Sequence, residues 1–353
     1  MMPGTYLDYV LFGLTCLVLL TAPFLPAFRE WLYPSDFTAL PIAPNYSSDI
    51  DHFASRLQRD VAAKMGLGTP TGYEDFQLLT NWTDNMDWSK VSKRLICKSS
   101  IDSKNPIRSR HPLYVEGDIR SGVNSEFSAL YATGDINLGT ESEVLDWAHA
   151  DGTLRLKNNS VALRRVSAGA AIELGNEVWF ERLHAPVLLF GRNDNTALQR
   201  DHDAVVTLPQ QIAGSYADLP NAHQQTPQLF LIQGDCALPP GYVYTGSLVV
   251  TGFLTIGAST TVVGDIKVRK GLSIGNRASV QGAITCEKRV YMFKDARAWG
   301  PLVSESDILI GSGTVIGLVD FQTTVSARNI IVEEGAIVHG TVWAHEIGMV
   351  KAP

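Results

Sequence analysis

The feature that most constrains the fold is a repeat of 18 residues in the second half of the chain. Each repeat places pairs of residues two positions apart, and equivalent positions form columns: Leu248, Ile266, Ile284 and Leu302; Val250, Val268, Cys286 and Ser304; Leu254, Leu272, Val290 and Ile308; Ile256, Ile274, Met292 and Ile310; Val262, Val280, Ala298 and Ile316. Alternation of period two is typical of a β-strand, and the spacing of the pairs gives three short strands per repeat. The pattern predicts an all-β fold, a three-sided parallel β-helix in which each coil buries its apolar side chains against its neighbours.

Gly-Asp pairs mark bends between the predicted strands. They occur at Gly117-Asp118, Gly134-Asp135, Gly234-Asp235 and Gly264-Asp265. The four aspartates could form an acidic ladder for carbohydrate. Their shared setting favours a turn role, in which the carboxylate accepts a hydrogen bond from a backbone N–H.

An uncharged run lies between Asp8 and Arg29. A helix of about 20 residues is about 30 Å long, which is enough to cross the bilayer core. A cleaved signal peptide needs a positive segment before the apolar run, and this chain has none there. We therefore expect a retained single-pass anchor that contacts the bilayer through residues 9–28. Arg29 favours a cytoplasmic body by the positive-inside rule.

The sequence divides into five segments. We expect a transmembrane anchor at 1–33, a tether and amphipathic helix region at 34–110, a first β-helical segment at 111–191, a polar excursion loop or hinge at 192–228, and a second β-helical segment at 229–353.

A short amphipathic helix is predicted after the tether. Its apolar positions are Ile50, Phe53, Leu57, Val61 and Met65, with Ser48 as N-cap and Gly66 at the end. Such a helix either docks a partner or the membrane, or packs on the body that follows it.

Charge and cysteine content exclude several functions. The net charge is −7 and no Lys/Arg cluster occurs, so nucleic acid is not an expected partner. The four cysteines include no CxxC pair, which argues against a zinc site, and free thiols are expected. His202 lies between Asp201 and Asp203, but three consecutive loop residues rarely converge on one ion. The sequence predicts no metal and no cofactor.

The apolar columns, the "GDI" bends and the 18-residue period together resemble the bactofilins, which are polymer-forming bacterial cytoskeletal proteins. Residues 229–347 carry most of the resemblance, and 111–191 share it through "EGDI" and "TGDI". The resemblance implies a nucleotide-free structural protein on the bacterial inner membrane that self-associates through the ends of its β-helix. Together with the anchor, these features lead us to expect a membrane-tethered scaffold that organises cell-envelope or polysaccharide machinery, with envelope-synthesis proteins as partners.

The chain stops soon after its last coil, without a helix long enough to cover that coil. An open coil exposes unpaired backbone groups to which another chain can add. We therefore expect self-association at this end, through apolar residues of the last coil: Ile330, Val332, Val338 and Val342.

Two other functions remain open. A hexapeptide-repeat-like acyltransferase that modifies envelope polysaccharide would use His339 or His345 as a catalytic base. A carbohydrate-binding or lyase β-helix would use Trp147, Trp179 and Trp299 as stacking platforms. Since neither histidine has a carboxylate at a matched position in a second coil, the sequence favours a protein that is not an enzyme.

Overall fold

The computed structural model describes residues 4–25, 29, 32, 50–66, 75–79, 82, 84, 86–191 and 212–352. It forms two compact units, Met1–Ser48 and Asp49–Pro353. The first contains helix α1 (Gly4–Thr21), followed by a 3-10 turn at Ala22–Phe24. The stretch Leu7–Phe24 has a mean hydropathy of 1.8 and is long and apolar enough to cross a membrane.

The second unit is a β-helix of about 14 turns with about 18 residues per turn, preceded by helix α2 (His52–Gly66). Its first half comprises the strands β1 (Phe76–Leu79), β2 (Arg94–Cys97), β3 (Ile101–Asp102), β4 (Arg108–Ser109), β5 (Leu113–Val115), β6 (Ile119–Arg120), β7 (Glu126–Ala132), β8 (Ile136–Leu138), β9 (Glu143–Ala150), β10 (Thr153–Leu156), β11 (Val161–Ala168), β12 (Ala171–Leu174) and β13 (Trp179–Phe190).

The second half contains the remaining strands: β14 (Ile212–Gly214), β15 (Ala222–Thr226), β16 (Leu229–Ile232), β17 (Cys236–Leu238), β18 (Tyr242–Thr245), β19 (Ser247–Val250), β20 (Phe253–Ile256), β21 (Thr261–Val263), β22 (Ile266–Val268), β23 (Gly271–Ile274), β24 (Ser279–Val280), β25 (Ile284–Cys286), β26 (Val290–Met292), β27 (Arg297–Ala298), β28 (Leu302–Ser304), β29 (Asp307–Ile310), β30 (Val315–Ile316), β31 (Thr323–Val332) and β32 (Ile337–Val350).

The predicted columns are confirmed as stacked strands in parallel register. Leu248 pairs with Ile266, which pairs with Ile284, and Ile284 pairs with Leu302. The columns that begin at Leu254 and Val262 are stacked in the same way. These side chains are almost fully buried, so the apolar interior of the β-helix is continuous from coil to coil.

The two halves meet through their last strands, which pair antiparallel. Leu183 of β13 pairs with Val342 of β32, and Leu188 pairs with Val338. Each of these strands wraps all three walls of its coil, so the joint closes every wall. The ladder that contains Leu183 and Val342 runs through both halves without interruption; we call it wall 1.

Helix α2 packs on the outside of wall 1. Ala54, Leu57 and Val61 are buried in one cluster with Phe76, Ile96, Tyr114 and Tyr131. Of the two alternatives that the sequence left open for this helix, the structure shows packing on the body. Its apolar face differs by one position, because Ala54 is buried while 42% of Phe53 is exposed.

Two predicted boundaries differ from the structure. Strands begin at Phe76, well before residue 111, because coils at 76–115 pair in the same parallel register as later ones. Residues 212–228 are not a plain loop, since they contain β14 and β15, and Tyr216 lies between them in the core. Residues 192–211, with His202, lie outside the described residues.

Substitution of Gly348 by alanine should destabilise the joint. A Cβ there would lie 2.6 Å from the carbonyl oxygen of Phe180 and even closer to its ring. Overpacking of this kind costs about 1–3 kcal/mol. We expect calorimetry to show a lower unfolding temperature for Gly348→Ala, whereas Gly13→Ala, which adds a Cβ with nothing within 4 Å, should not change it. An unchanged temperature for Gly348→Ala would contradict the described pairing of β13 and β32.

Candidate functional site

The residues expected to mediate self-association lie inside the molecule. Ile330, Val332, Val338 and Val342 are each 0% exposed. The expectation that the last coil is open is wrong, because β13 of the same chain covers it. Another copy could reach these side chains only after β13 and β32 separate.

The two histidines considered as catalytic bases have separate surroundings. His339 is buried, and its Nδ1 lies 3.0 Å from the carbonyl oxygen of Pro186. The pairing of β13 with β32 shifts register between Ala185 and Leu188, so His339 supports the joint where a proline interrupts it. His345 is exposed, with its Nε2 3.0 Å from Ser326 Oγ. The structure does not bring the two imidazoles together in one pocket.

The aspartates of the Gly-Asp pairs join successive coils, as the turn interpretation predicts. The Oδ1 atoms of Asp118, Asp135, Asp235 and Asp265 each accept a backbone N–H bond of 2.8 Å. The donors belong to the next coil: Asp135, Thr153, Phe253 and Ala283. These carboxylates are therefore part of the corner structure.

The three tryptophans proposed as a stacking surface do not share one wall. Trp147 packs half-buried against the α2 cluster on wall 1. Trp179 pairs with Met349 on another wall, and Trp299 follows β27 in the second half. Sequence reasoning missed Trp343, which the joint places on wall 1 opposite Arg182.

The outer face of wall 1 at the joint carries a polar and aromatic cluster that we call the joint face: Arg165, Ser167, Arg182, His184, Thr341 and Trp343. One row runs from Trp147 through Arg165 and Arg182 to Trp343 on successive strands. The parallel row consists of Ser167, His184 and Thr341.

Aromatic rings hold both guanidinium groups of the joint face. Arg165 Cζ lies 5.0 Å from the ring centre of Phe53 at the start of α2, and Arg182 Cζ lies 4.7 Å from that of Trp343. Trp343 in turn packs on His345 with ring centres 4.2 Å apart. This arrangement places two half-buried cations side by side on the outer face of wall 1.

Beneath α2 the same outer face becomes a buried polar ladder. Tyr131 stacks between Tyr114 and His149, and its hydroxyl donates to Asp151 Oδ1 at 2.8 Å. His149 Nε2 lies 3.2 Å from the same oxygen. Burial, and then the bond to Asp151, raise the pKa of Tyr131 well above its usual range. Burial lowers the pKa of His149, although the carboxylate of Asp151 opposes this change.

In the second half of the chain, wall 1 ends at β15, which is an edge strand. β15 pairs antiparallel with β16, and no other described strand pairs with it. Its residues from His223 to Thr226 are exposed and carry no formal charge at neutral pH. Tyr216 belongs to the apolar interior beside it, and Leu219 packs against that interior.

Among the described residues, no group of three His, Cys, Asp or Glu side chains could hold a metal ion. All four cysteines are free thiols, as expected, and burial raises the pKa of Cys236 to about 11. No family model matches the chain, and neither do any curated protein or solved structure with which it was compared. The resemblance to bactofilins therefore rests on the sequence pattern.

The buried His149 should make stability sensitive to acid. Its pKa is lower in the folded chain than in the unfolded chain, so the unfolded state binds more protons as pH falls. The stabilisation is therefore fully present above the unfolded pKa of about 6.5 and is lost as pH falls through the folded pKa. We expect the unfolding temperature to fall less between pH 7.5 and 5 in His149→Gln than in the native chain.

The control for this experiment is His223→Gln, which changes an exposed histidine on β15. It should keep the native pH dependence. Equal pH dependence in the His149→Gln and native proteins would show that this ring does not carry the effect.

Proposed function

We propose that the chain is a membrane-anchored, bactofilin-like scaffold that self-associates through the edge of β15. It presents a rigid β-helix to cell-envelope or polysaccharide machinery and acts without an enzymatic step. The observation that carries this proposal is the edge strand itself, which pairs on one side only among the described residues.

The difference between the paired joint and the unpaired edge of β15 supports β15 as the contact between copies. The joint already uses the last coil of both halves, so the backbone groups that pair β13 with β32 are not available to a second copy. β15 offers a row of N–H and C=O groups without a charged or proline residue in the strand, and such an edge is a template for pairing. Two β15 edges can pair antiparallel around a two-fold axis, which makes a self-complementary contact.

The anchor is supported by α1, whose Leu7–Phe24 stretch has the length and hydropathy of a membrane span. A bilayer confines the copies to a plane and raises their effective concentration, which favours weak edge contacts. The location on a bacterial inner membrane and a cytoplasmic body remain predictions from the sequence.

Acyl transfer has less support in the geometry. His339 is occupied with Pro186, and His345 is an exposed residue stacked on Trp343. A catalytic base needs a partner group and a place for the reacting atoms within hydrogen-bond reach.

Lysines on the β15 edge should prevent association. We expect the full chain in neutral detergent to form dimers with rising concentration in sedimentation velocity, and Gln224→Lys/Gln225→Lys to stay monomeric. Two added charges on each edge repel across the two-fold axis, and lysine is the residue by which natural edges avoid pairing.

A matched variant carries the same charges elsewhere. Thr255 and Thr285 are exposed positions in central coils, so Thr255→Lys/Thr285→Lys should dimerise like the native chain. A native chain that remains monomeric at all concentrations, or equal dimerisation of the two double variants, would refute the proposal.

A further inference from the structure

We propose that the β-helix lies on a lipid bilayer through an apolar stripe that crosses the joint. The stripe is on the outer face of the wall that contains Trp179 and Met349, which we call wall 2. It consists of register partners on six successive strands: Val161, Trp179, Met349, Ile331, Leu309 and Tyr291. This contact rests on the proposed anchor, which brings a bilayer near, and involves no residue of β15.

The stripe faces outward from the β-helix. Ile331 lies between Ile330 and Val332, which are both 0% exposed, and a buried residue precedes and follows each of the other five positions as well. Successive residues of a strand point to opposite faces, so the stripe is on the solvent side. Trp179 is 43% exposed, and the other five side chains are half-buried.

The same row becomes polar beyond both ends of the stripe. Glu143 is the next register partner after Val161 in the first half, and Ser273 is the next after Tyr291 in the second half. The solvated face of a sheet is normally polar, and a contiguous exposed apolar patch marks a surface for another protein or a membrane. The stripe is therefore a contact surface centred on the joint.

The size of the stripe favours a bilayer over a second copy of the chain. Six strands at a spacing of about 4.8 Å give a length of about 24 Å, and the exposed Ile347 in the adjacent row widens the stripe to about 14 Å. The area of about 340 Å² is less than half of the about 800 Å² that each partner buries in a standard protein interface. A bilayer contact can be small because it adds to an anchor in the same chain.

The backbone and the aromatic residues of the stripe suit a lipid surface. Each of its six strands pairs on both sides within wall 2, so the backbone groups along the stripe have strand partners when lipid displaces water. Trp179 lies near the centre and Tyr291 at one end. Both residue types concentrate at membrane–water interfaces, because each combines an apolar ring with a polar group.

The charges beside the stripe favour a neutral bilayer over an anionic one. Arg289 Nη2 lies 2.8 Å from Asp307 Oδ2, so these two charges neutralise each other. The charged residues two positions from a stripe residue comprise four carboxylates and two bases: Glu177, Glu181, Asp307, Glu333, Arg289 and Lys351. Since positive charge is not in excess there, we expect the contact to form with phosphatidylcholine alone.

The connection to the candidate membrane span keeps lipid within reach. Leu7–Phe24 is separated from Ile50 by 25 residues, and a chain of that length extends at most about 90 Å. A tether of this kind gives the second contact a high effective concentration. The chain enters the β-helix beside the stripe, because Phe53 of α2 lies 5.0 Å from Arg165 of β11, the strand that also carries Val161.

The test is the fluorescence of a bimane label at Met349→Cys in the full chain, reconstituted in phosphatidylcholine vesicles with or without brominated acyl chains. Cys16 and Cys236 are changed to alanine in every variant, and Cys97 and Cys286 are buried. Bromine quenches only fluorophores that it contacts. We expect at least about twofold lower emission in brominated lipid, because interfacial elements enter the acyl boundary by about 5–10 Å.

Matched variants separate the stripe from the rest of the surface. Thr285→Cys places the label on the exposed face of wall 1 and should not be quenched. Ile331→Glu added to Met349→Cys should abolish quenching, because a carboxylate in the stripe resists leaving water. Ser273→Glu lies in the same row just outside the stripe and should leave quenching unchanged. Thermal unfolding checks each variant, and Tyr291→Cys replaces Met349→Cys if the latter does not fold.

Flotation of the vesicles distinguishes failure of the stripe from failure of the anchor. A chain that floats with equal emission in both lipids refutes the stripe contact and leaves the anchor in place, whereas a chain that does not float refutes both. An intermolecular disulfide between two Met349→Cys chains without quenching would assign the stripe to a second copy. Quenching that requires phosphatidylglycerol would overturn the apolar contact in favour of electrostatic attraction.

Discussion

The antiparallel pairing of β13 with β32 is the contact on which the rest of the architecture depends. Parallel coils satisfy their backbone groups only when another coil follows, so each half alone would end in open N–H and C=O groups. Reversing one half places the two last coils face to face, and each closes the other along all three walls. The chain is a single β-helix because of this contact. Leu183, Leu188, Val338 and Val342 supply its apolar interior.

The joint also creates surface that neither half has alone. Arg182 and Trp343 are far apart in sequence, and their contact exists only because β13 and β32 pair in one register. Helix α2 borders the same surface. Its Phe53 packs over Arg165, and its Leu57 and Val61 cover Tyr114 and Tyr131 of the buried polar ladder. Within the first half, the joint face is thus the part of wall 1 that lies beyond the region covered by α2.

The sequence predicts what repeats and misses what occurs once. The column from Leu248 to Leu302 recurs every coil, so period alone identifies it, and the Gly-Asp corner at Asp265 is recognised because the same dipeptide occurs elsewhere in the chain. The joint occurs once, between strands whose register follows no period, and the apparent lack of a C-terminal cap led to the wrong expectation of an open end. Trp343 was missed for the same reason. The backbone conformation of the corners is also not evident from the sequence. Arg277 and Asp295 adopt left-handed φ angles of 58° and 57°, although glycine is the residue favoured there.

Closing the C-terminal ends changes what kind of assembly the fold can form. A filament needs two contacts on each copy, either complementary surfaces that stack head to tail or two different self-complementary ends. Here the apolar interior is covered near β1 by Trp82 and Trp88 and near β15 by Tyr216. These side chains cover the apolar core, but they do not pair with the N–H and C=O groups of the edge strands, which another strand would satisfy. The β15 edge is self-complementary, so pairing through it uses up both copies and stops at a dimer. A polymer would require the β1 end to associate as well; β1 has 4 residues against 5 in β15, and among the described strands it pairs only with β2.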